Sequence, residues 1–239
     1  MGIDSHETLI KKEGYKDNTL DPDLIRFARI EISPKNKNYL NPDEWVFKID
    51  MDVTPKWWTL DHKKACGKAH KKWLKQLDKI LVRKPIVRPF KIEPPAEITE
   101  EHLALLREWD SVRASVWDSV GDSVGDSVGD SVRASVWDSV WDSVRASVGD
   151  SIWASVRDSV RASIGASVWA SVGDSIEAYY GSFFILSQNA WKYTEKIKTD
   201  QYPFLSVVKL WEMGLVPSFD GKKWRLHAHG DARVVWEDP

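Results

Sequence analysis

The sequence predicts an α+β protein built on a central tetrapeptide-repeat tract, with small α/β caps on either side. Three observations carry this expectation. Four-residue units of the form [Trp/Gly/Arg]-[Asp/Ala]-Ser-[Val/Ile] run without interruption from Trp109 to Ile176. Segments on both sides alternate apolar and polar residues, as half-buried strands do. Other flanking segments place apolar residues at helical spacing. The chain is therefore divided into an N-terminal α+β region with a lysine-rich helix (1–95), the repeat tract (96–186), and a C-terminal helix with a small β-meander (187–239).

In the first region, Arg26–Ile32 and Trp45–Met51 alternate as strands, with turn-forming residues Ser33–Asn38 between them. Thr59 is placed to cap a helix reaching about Leu81, with Ala65, Ala69, Trp73, Leu77 and Ile80 along its apolar stripe. Pro85, Pro89, Pro94 and Pro95 predict an extended linker. Thr99 caps the next helix, whose Leu103, Leu106 and Trp109 share a face and lead into the repeats. After Ile176 the pattern decays through Glu177 to Phe184. Phe204–Met213 suits a short helix stopped by Gly214. Pro217–Phe219, Trp224–His227 and Arg233–Trp236 then form the meander, turning at Asp220–Lys223 and Gly230–Asp231.

Seventeen tetrads make up the tract, all with serine third and with valine or isoleucine fourth. The first slot holds Trp six times, Gly six and Arg five; the second holds Asp ten times and Ala seven. Trp, Gly and Arg share no packing property, but each has a codon one base from the others, as do Asp and Ala. The tract reads as an expanded DNA unit that drifted by point changes. Its first slot cannot then be uniformly buried.

At about 100° per residue, a helix puts Asp roughly 160° from the valine two positions on, facing water, and the first slot on the flank. An extended chain would put Asp and Val on one face and carry carboxylates inward. The helical form is therefore preferred over a β-solenoid. A row repeating every fourth residue drifts by about 40° per tetrad, which favours several stacked or crossing helices over one rod. The glycine block Gly121–Val132 is the expected break, because interior glycine is a poor helix former. The small, polar, apolar and variable slots resemble those of pentapeptide-repeat solenoids. Each unit is one residue short, so that register does not carry over.

The formal net charge is −2, which removes any global field pointing to nucleic acid or membrane. One cysteine, Cys66, excludes an intrachain disulfide. No apolar run reaches the length of a membrane span, and Met1–Glu7 lacks secretory-signal character, so a soluble cytoplasmic protein without membrane contact is expected.

The leading functional expectation is a non-enzymatic repeat scaffold for protein–protein interaction or self-association, with no cofactor. Its surface would be the first-slot residues Trp117, Arg133, Trp137, Trp141, Arg145, Trp153, Arg157, Arg161 and Trp169, types favoured at binding hot spots. The alternative is nucleic-acid binding through the basic segment 56–91, centred on Lys64, Lys68, Lys71, Lys72 and Lys75 with Trp57, Trp58 and Trp73 interleaved. A solvated lysine face is the plain reading of the same run. No metal site is assigned. His62, Cys66 and His70 form the nearest candidate row, but it advances about 12 Å, too far for all three to share one ion. No catalytic residue is assigned either. His227 and His229 share a strand face near Asp220 and Asp231, and read as an exposed pair.

Overall fold

Helices and small antiparallel sheets together make this an α+β protein, seen in a computed structural model that describes residues 10–15, 20–34, 44–120, 124–135, 144–145, 156 and 169–239. Contacts divide the chain into two units, Met1–Lys79 and Ile80–Pro239.

In the first unit, β1 (Ile30–Pro34) pairs antiparallel with β2 (Trp45–Ile49), setting Ile30 opposite Ile49 and Pro34 opposite Trp45. β1 starts later than alternation predicts and includes Ser33 and Pro34, which were expected in the turn; the rest of that turn lies outside the described residues. The pairing extends one step upstream, where Asp50 N–H donates to Arg29 O at 2.9 Å. Beyond it β2 has ended, and alternation without a partner strand makes no ladder.

Helix α1 (Leu60–Leu77) begins at Thr59 as expected, but its capping box uses histidine. Thr59 N–H donates to His62 Nδ1 at 3.1 Å, and Thr59 Oγ1 lies 2.8 Å from the same nitrogen. The apolar stripe is rotated from the expected one. Of the expected positions Leu77 is buried and Ala69 and Ile80 are half-buried, but Ala65 is exposed, and Cys66, Gly67, His70 and Leu74 are half-buried beside them. The cause is Phe47 of β2, which meets His70 edge-on with ring centres 6.3 Å apart. A side chain at Gly67 would also touch Phe47.

The second unit opens with the segment expected to be a linker, and here the structure corrects the sequence reading. Leu81 bridges antiparallel to Phe184, and Val82 N–H donates to Phe183 O at 2.8 Å. Val87 N–H donates to Tyr179 Oη at 2.8 Å. Pro89 and Phe90 are buried in a short 3-10 turn, Pro89–Lys91. Proline fixes φ but does not prevent burial, and the apolar Phe90 carries the segment inward.

The described repeat residues are helical. They lie in α2 (Glu100–Val120), α3 (Val124–Ser135) and α4 (Trp169–Gly181). Val112, Val116, Val124, Val128, Val132, Val172 and Ile176 are buried, as are Val144 and Val156, whose backbone is also helical. α3 runs unbroken through Gly125 and Gly129; the first residues of the expected break, Gly121–Ser123, lie outside the described residues, between the end of α2 and the start of α3. Each interior glycine costs about 1 kcal/mol, whereas burying a valine contributes roughly 1.5–3 kcal/mol. The valine row therefore wins. α4 likewise continues past the last tetrad, because Ala178, Tyr179 and Tyr180 extend the buried face.

α3 packs on α4, α2 packs on α5 (Leu205–Glu212), and α4 also lies against β3 (Val216–Phe219). The sheet is an antiparallel meander of β3, β4 (Trp224–Ala228) and β5 (Arg233–Glu237). α5 ends as the sequence predicts, at Gly214 with φ +78. There a Cβ would press on the Pro89 and Ile92 carbonyls at 3.3 Å, which requires glycine twice over. The turn between β3 and β4 is held by Asp220, whose Oδ1 accepts from Lys222 N–H and Lys223 N–H, both at 2.9 Å. Trp109, Tyr179, Phe204 and Trp211 lie at the centre of this unit, fully buried.

Candidate functional site

The lysine helix presents a strongly basic surface in the first unit. Lys64, Lys68, Lys71, Lys72 and Lys75 are all exposed, and within α1 they fall in an arc of about 100°. Lys64 pairs with Asp61 at 3.3 Å; the other four have no carboxylate partner among the described residues. At the N-terminal end of the helix, Trp58 stacks on His62 with ring centres 5.7 Å apart, and Trp57 meets the same imidazole edge-on at 5.2 Å. Trp57 is fixed in turn by donating Nε1–H to Ile25 O at 2.7 Å. The aromatic cluster sits at the N-terminal end of the helix, with His62 about 130° around it from the centre of the lysine arc. The side chain of Trp73 lies outside the described residues.

The candidate metal row is not assembled. His62 is committed to the Thr59 cap and its aromatic stack, and His70 packs on Phe47 with its pKa pushed below 6.5 by burial. Among the described residues, no cluster of three His, Cys, Asp or Glu is positioned to hold a metal ion.

The first slot of the repeat is used in opposite ways by neighbouring tetrads. Trp109 is fully buried against Phe204, while Trp117, two tetrads later on the same helix, is 59% exposed. Its described arginines turn toward acids of the same chain. Arg113 Nε donates to Asp174 Oδ2 at 2.8 Å, Arg145 donates to Glu177 Oε1 at 3.2 Å, and Arg133 lies 3.6 Å from Asp130. Asp110, Asp118 and Asp126 face water as the helical geometry requires. Asp174 does not, and this corrects the expectation that repeat aspartates are solvated. Burial pushes the Asp174 and Glu177 carboxyls up, and Arg113 and Arg145 respectively draw them back in part. Trp137, Trp141, Trp153, Arg157 and Arg161 lie outside the described residues, and Trp169 opens α4 with its side chain likewise outside them.

Comparison with protein-family models, with curated proteins and with solved structures finds no match for this chain.

His227 is the second correction. It is fully buried, not part of an exposed pair, and its strand-mate His229 sits in the following turn at φ 65. His227 Nδ1 lies 2.8 Å from Ala232 O, and Nε2 lies 2.8 Å from Ser218 Oγ. A carbonyl only accepts, so Nδ1 carries the proton and Nε2 accepts from Ser218. This is a neutral, satisfied core histidine. Asp220, read as its neighbour, instead pairs with Arg225 at 2.6 Å.

Sequence reasoning missed Lys84, which it counted only among the basic residues of the run. Its ammonium lies 5.1 Å from the Tyr179 ring centre, 5.0 Å from that of Phe183, and 3.6 Å from Glu212. Desolvation lowers its pKa, and Glu212 partly restores it. No local pattern separates Lys84 from its neighbours; only the fold, which brings α4 and α5 to it, does so.

Proposed function

We propose that the chain is a non-enzymatic repeat scaffold mediating protein–protein interaction or self-association through the first-slot edge of its tetrads. The observation that carries this is Trp117, a large aromatic left 59% exposed on a helix that buries Trp109 completely. Exposed tryptophan on a rigid helix is strong interface material, since it offers area at little entropic cost. We further propose that the whole tract, Trp109–Ile176, is a stack of crossing helices. The described tetrads in α2, α3 and α4, and the buried helical residues Val144 and Val156, support that reading. Equilibrium sedimentation of the full chain, with Trp117→Ala as the comparison, tests the self-association form. Weaker association in the variant at unchanged thermal stability supports it. A wild type that is monomeric at high concentration and draws no protein partner through Trp117 removes it.

A second reading, nucleic-acid binding, is favoured by the exposed lysine arc of α1 and by the Trp57–Trp58–His62 cluster at the start of the same helix. Phosphate contacts by lysine give salt-dependent binding, and aromatic faces stack bases. Retention on immobilised DNA that falls with salt, and is lost when Lys68, Lys71, Lys72 and Lys75 become Gln, supports it. Retention unaffected by those changes removes it.

A further inference from the structure

Two rows of charge, one in each unit, repeat every fourth residue. In α1 the row is Lys64, Lys68 and Lys72, headed by Leu60 and flanked by Lys71 and Lys75. All of these are exposed, Leu60 to 66%, and Lys68, Lys71, Lys72 and Lys75 have no carboxylate partner among the described residues. In α2 the second slots of the first three tetrads form the other row, Asp110, Ala114 and Asp118. All three are exposed, and neither aspartate has a cation partner among the described residues. The exposed Trp117 stands next to Asp118.

The two rows match in sign and in spacing. Asp110 and Asp118 are eight residues apart, about 12 Å along the helix axis, and so are Lys64 and Lys72. Both rows are i±4n ridges, which interdigitate when two helices cross at about −50°. Set antiparallel, Lys64 meets Asp118, Lys68 lies over the small Ala114, and Lys72 meets Asp110. Leu60 then falls about 8 Å from Trp117 along the axis, whereas a parallel setting would part them by about 16 Å. The antiparallel setting therefore gathers two large exposed apolar side chains at one end while opposite charges meet along the rest. At the other end Arg107, which would face Lys75, is already held by Glu100.

We propose that the lysine row of α1 is the docking face for α2 of a second copy of this chain, with Asp110 and Asp118 on the lysines and Trp117 beside Leu60. The inference rests on the self-association form of the scaffold reading and names the face that receives Trp117. The two faces differ, so the contact is head-to-tail, and each docked copy still offers one free face. Association therefore continues to higher species as concentration rises, unless a ring closes. Its exposed ion pairs are screened by salt. A nucleic acid would engage the lysines but leave Leu60 and the aspartate row without a role.

Equilibrium sedimentation of the full chain, alone and mixed with charge-reversed variants, tests it. One variant carries Lys64→Glu with Lys72→Glu, the other Asp110→Lys with Asp118→Lys. Each alone should associate about tenfold more weakly than wild type, the combined scale of two exposed ion pairs turned repulsive. An equimolar mixture should regain association, because every contact between the two variants again joins opposite charges. That recovery also shows that both variants fold. Lys196→Glu with Lys198→Glu, two exposed lysines of the second unit, makes the same change in net charge and should associate as wild type does. Leu60→Ala should weaken association as Trp117→Ala does. The inference is overturned, with the scaffold reading intact, if Trp117→Ala weakens association but reversal of Lys64 and Lys72 does not. It is also overturned if the mixture associates no better than either variant alone. Loss of DNA retention on reversing those lysines, with association unchanged, overturns it in favour of the nucleic-acid reading. A wild type that stays monomeric at high concentration removes both this inference and the self-association it rests on.

Discussion

Arg113 Nε donates to Asp174 Oδ2 at 2.8 Å, tying the second tetrad of the repeat to the last across 61 residues. Both side chains are largely enclosed, at 21% and 7% exposure, so neither is replaced by water when the other is removed. Arg113→Ala should therefore destabilise the protein by about 3 kcal/mol, the low end for breaking a buried pair. Asp174→Ala added to it, a residue the repeat already uses in that slot, should restore much of the loss. The pH dependence of Arg113→Ala follows from the direction of the Asp174 shift. Its folded pKa is raised by burial, so the folded state holds the proton more tightly, and stability is lost as pH rises through the folded value. The deficit of Arg113→Ala should thus be largest near neutrality and narrow on acidification. Urea unfolding at both pH values decides this, and an equal deficit at each would show that a buried carboxylate is not the cause.

The third slot of the repeat makes a second prediction, because one residue type performs two tasks there. Ser131 Oγ donates to Ser127 O and accepts from Lys192 N–H, both at 2.6 Å. Ser171 accepts from Phe219 N–H at 2.8 Å, fastening α4 to β3. Ser119 only donates back to Ser115 O on its own helix, at 2.8 Å. Ser131→Ala and Ser171→Ala each strand a backbone amide and should cost roughly 1–3 kcal/mol. Ser119→Ala removes a back-bond that competes with the helix, and should be neutral or stabilising by a few tenths of a kcal/mol. Chemical denaturation of the three variants checks the ranking, and three equal effects would refute it.

Two helical glycines of α4 should respond in opposite directions. A Cβ at Gly173 would meet nothing within 4 Å, so Gly173→Ala should stabilise by about 0.5–1 kcal/mol through helix propensity alone. A Cβ at Gly181 would overlap Tyr202 Oη, which donates to Ala178 O at 2.5 Å. Gly181→Ala must displace that ring and should destabilise by roughly 1–3 kcal/mol, as overpacking does. Melting temperatures of the two variants, moving apart from wild type, are the measurement.

What the sequence made legible was periodic or punctuated. Thr59 and Thr99 as helix starts, Gly214 as a stop, the meander and the buried valines all follow from local spacing and turn chemistry. What it hid depends on contacts distant in the chain. Ala65 lies on the expected stripe, but Phe47 decides which face of α1 turns inward. Asp174 belongs to a solvated slot, but Arg113 receives it inside. His227 alternates as an exposed residue would, but Ser218 on the adjacent strand and Ala232 in the turn satisfy both its nitrogens.

His227 supplies the last prediction. Burial holds its pKa below 6.5, with the charge of Arg225 adding to the effect and the bond to Ala232 O opposing it. Its folded pKa is thus depressed relative to the unfolded chain, whose histidine binds a proton first. Stability from this group is therefore fully present above pH 6.5 and declines as pH falls from there through the folded value. Asp174 and Glu177, with raised pKa values, act in the opposite sense, so the histidine must be observed directly. Nitrogen-detected NMR should show His227 as the Nδ1–H tautomer and still neutral at pH 6.5, the ordinary histidine value. His227→Gln, whose amide can keep one of the two bonds, should flatten the loss of stability below pH 6.5 by removing the titrating group. An Nε2–H tautomer, or titration at the ordinary value, would sink the assignment of His227 as a neutral structural link between β3 and the β4–β5 turn.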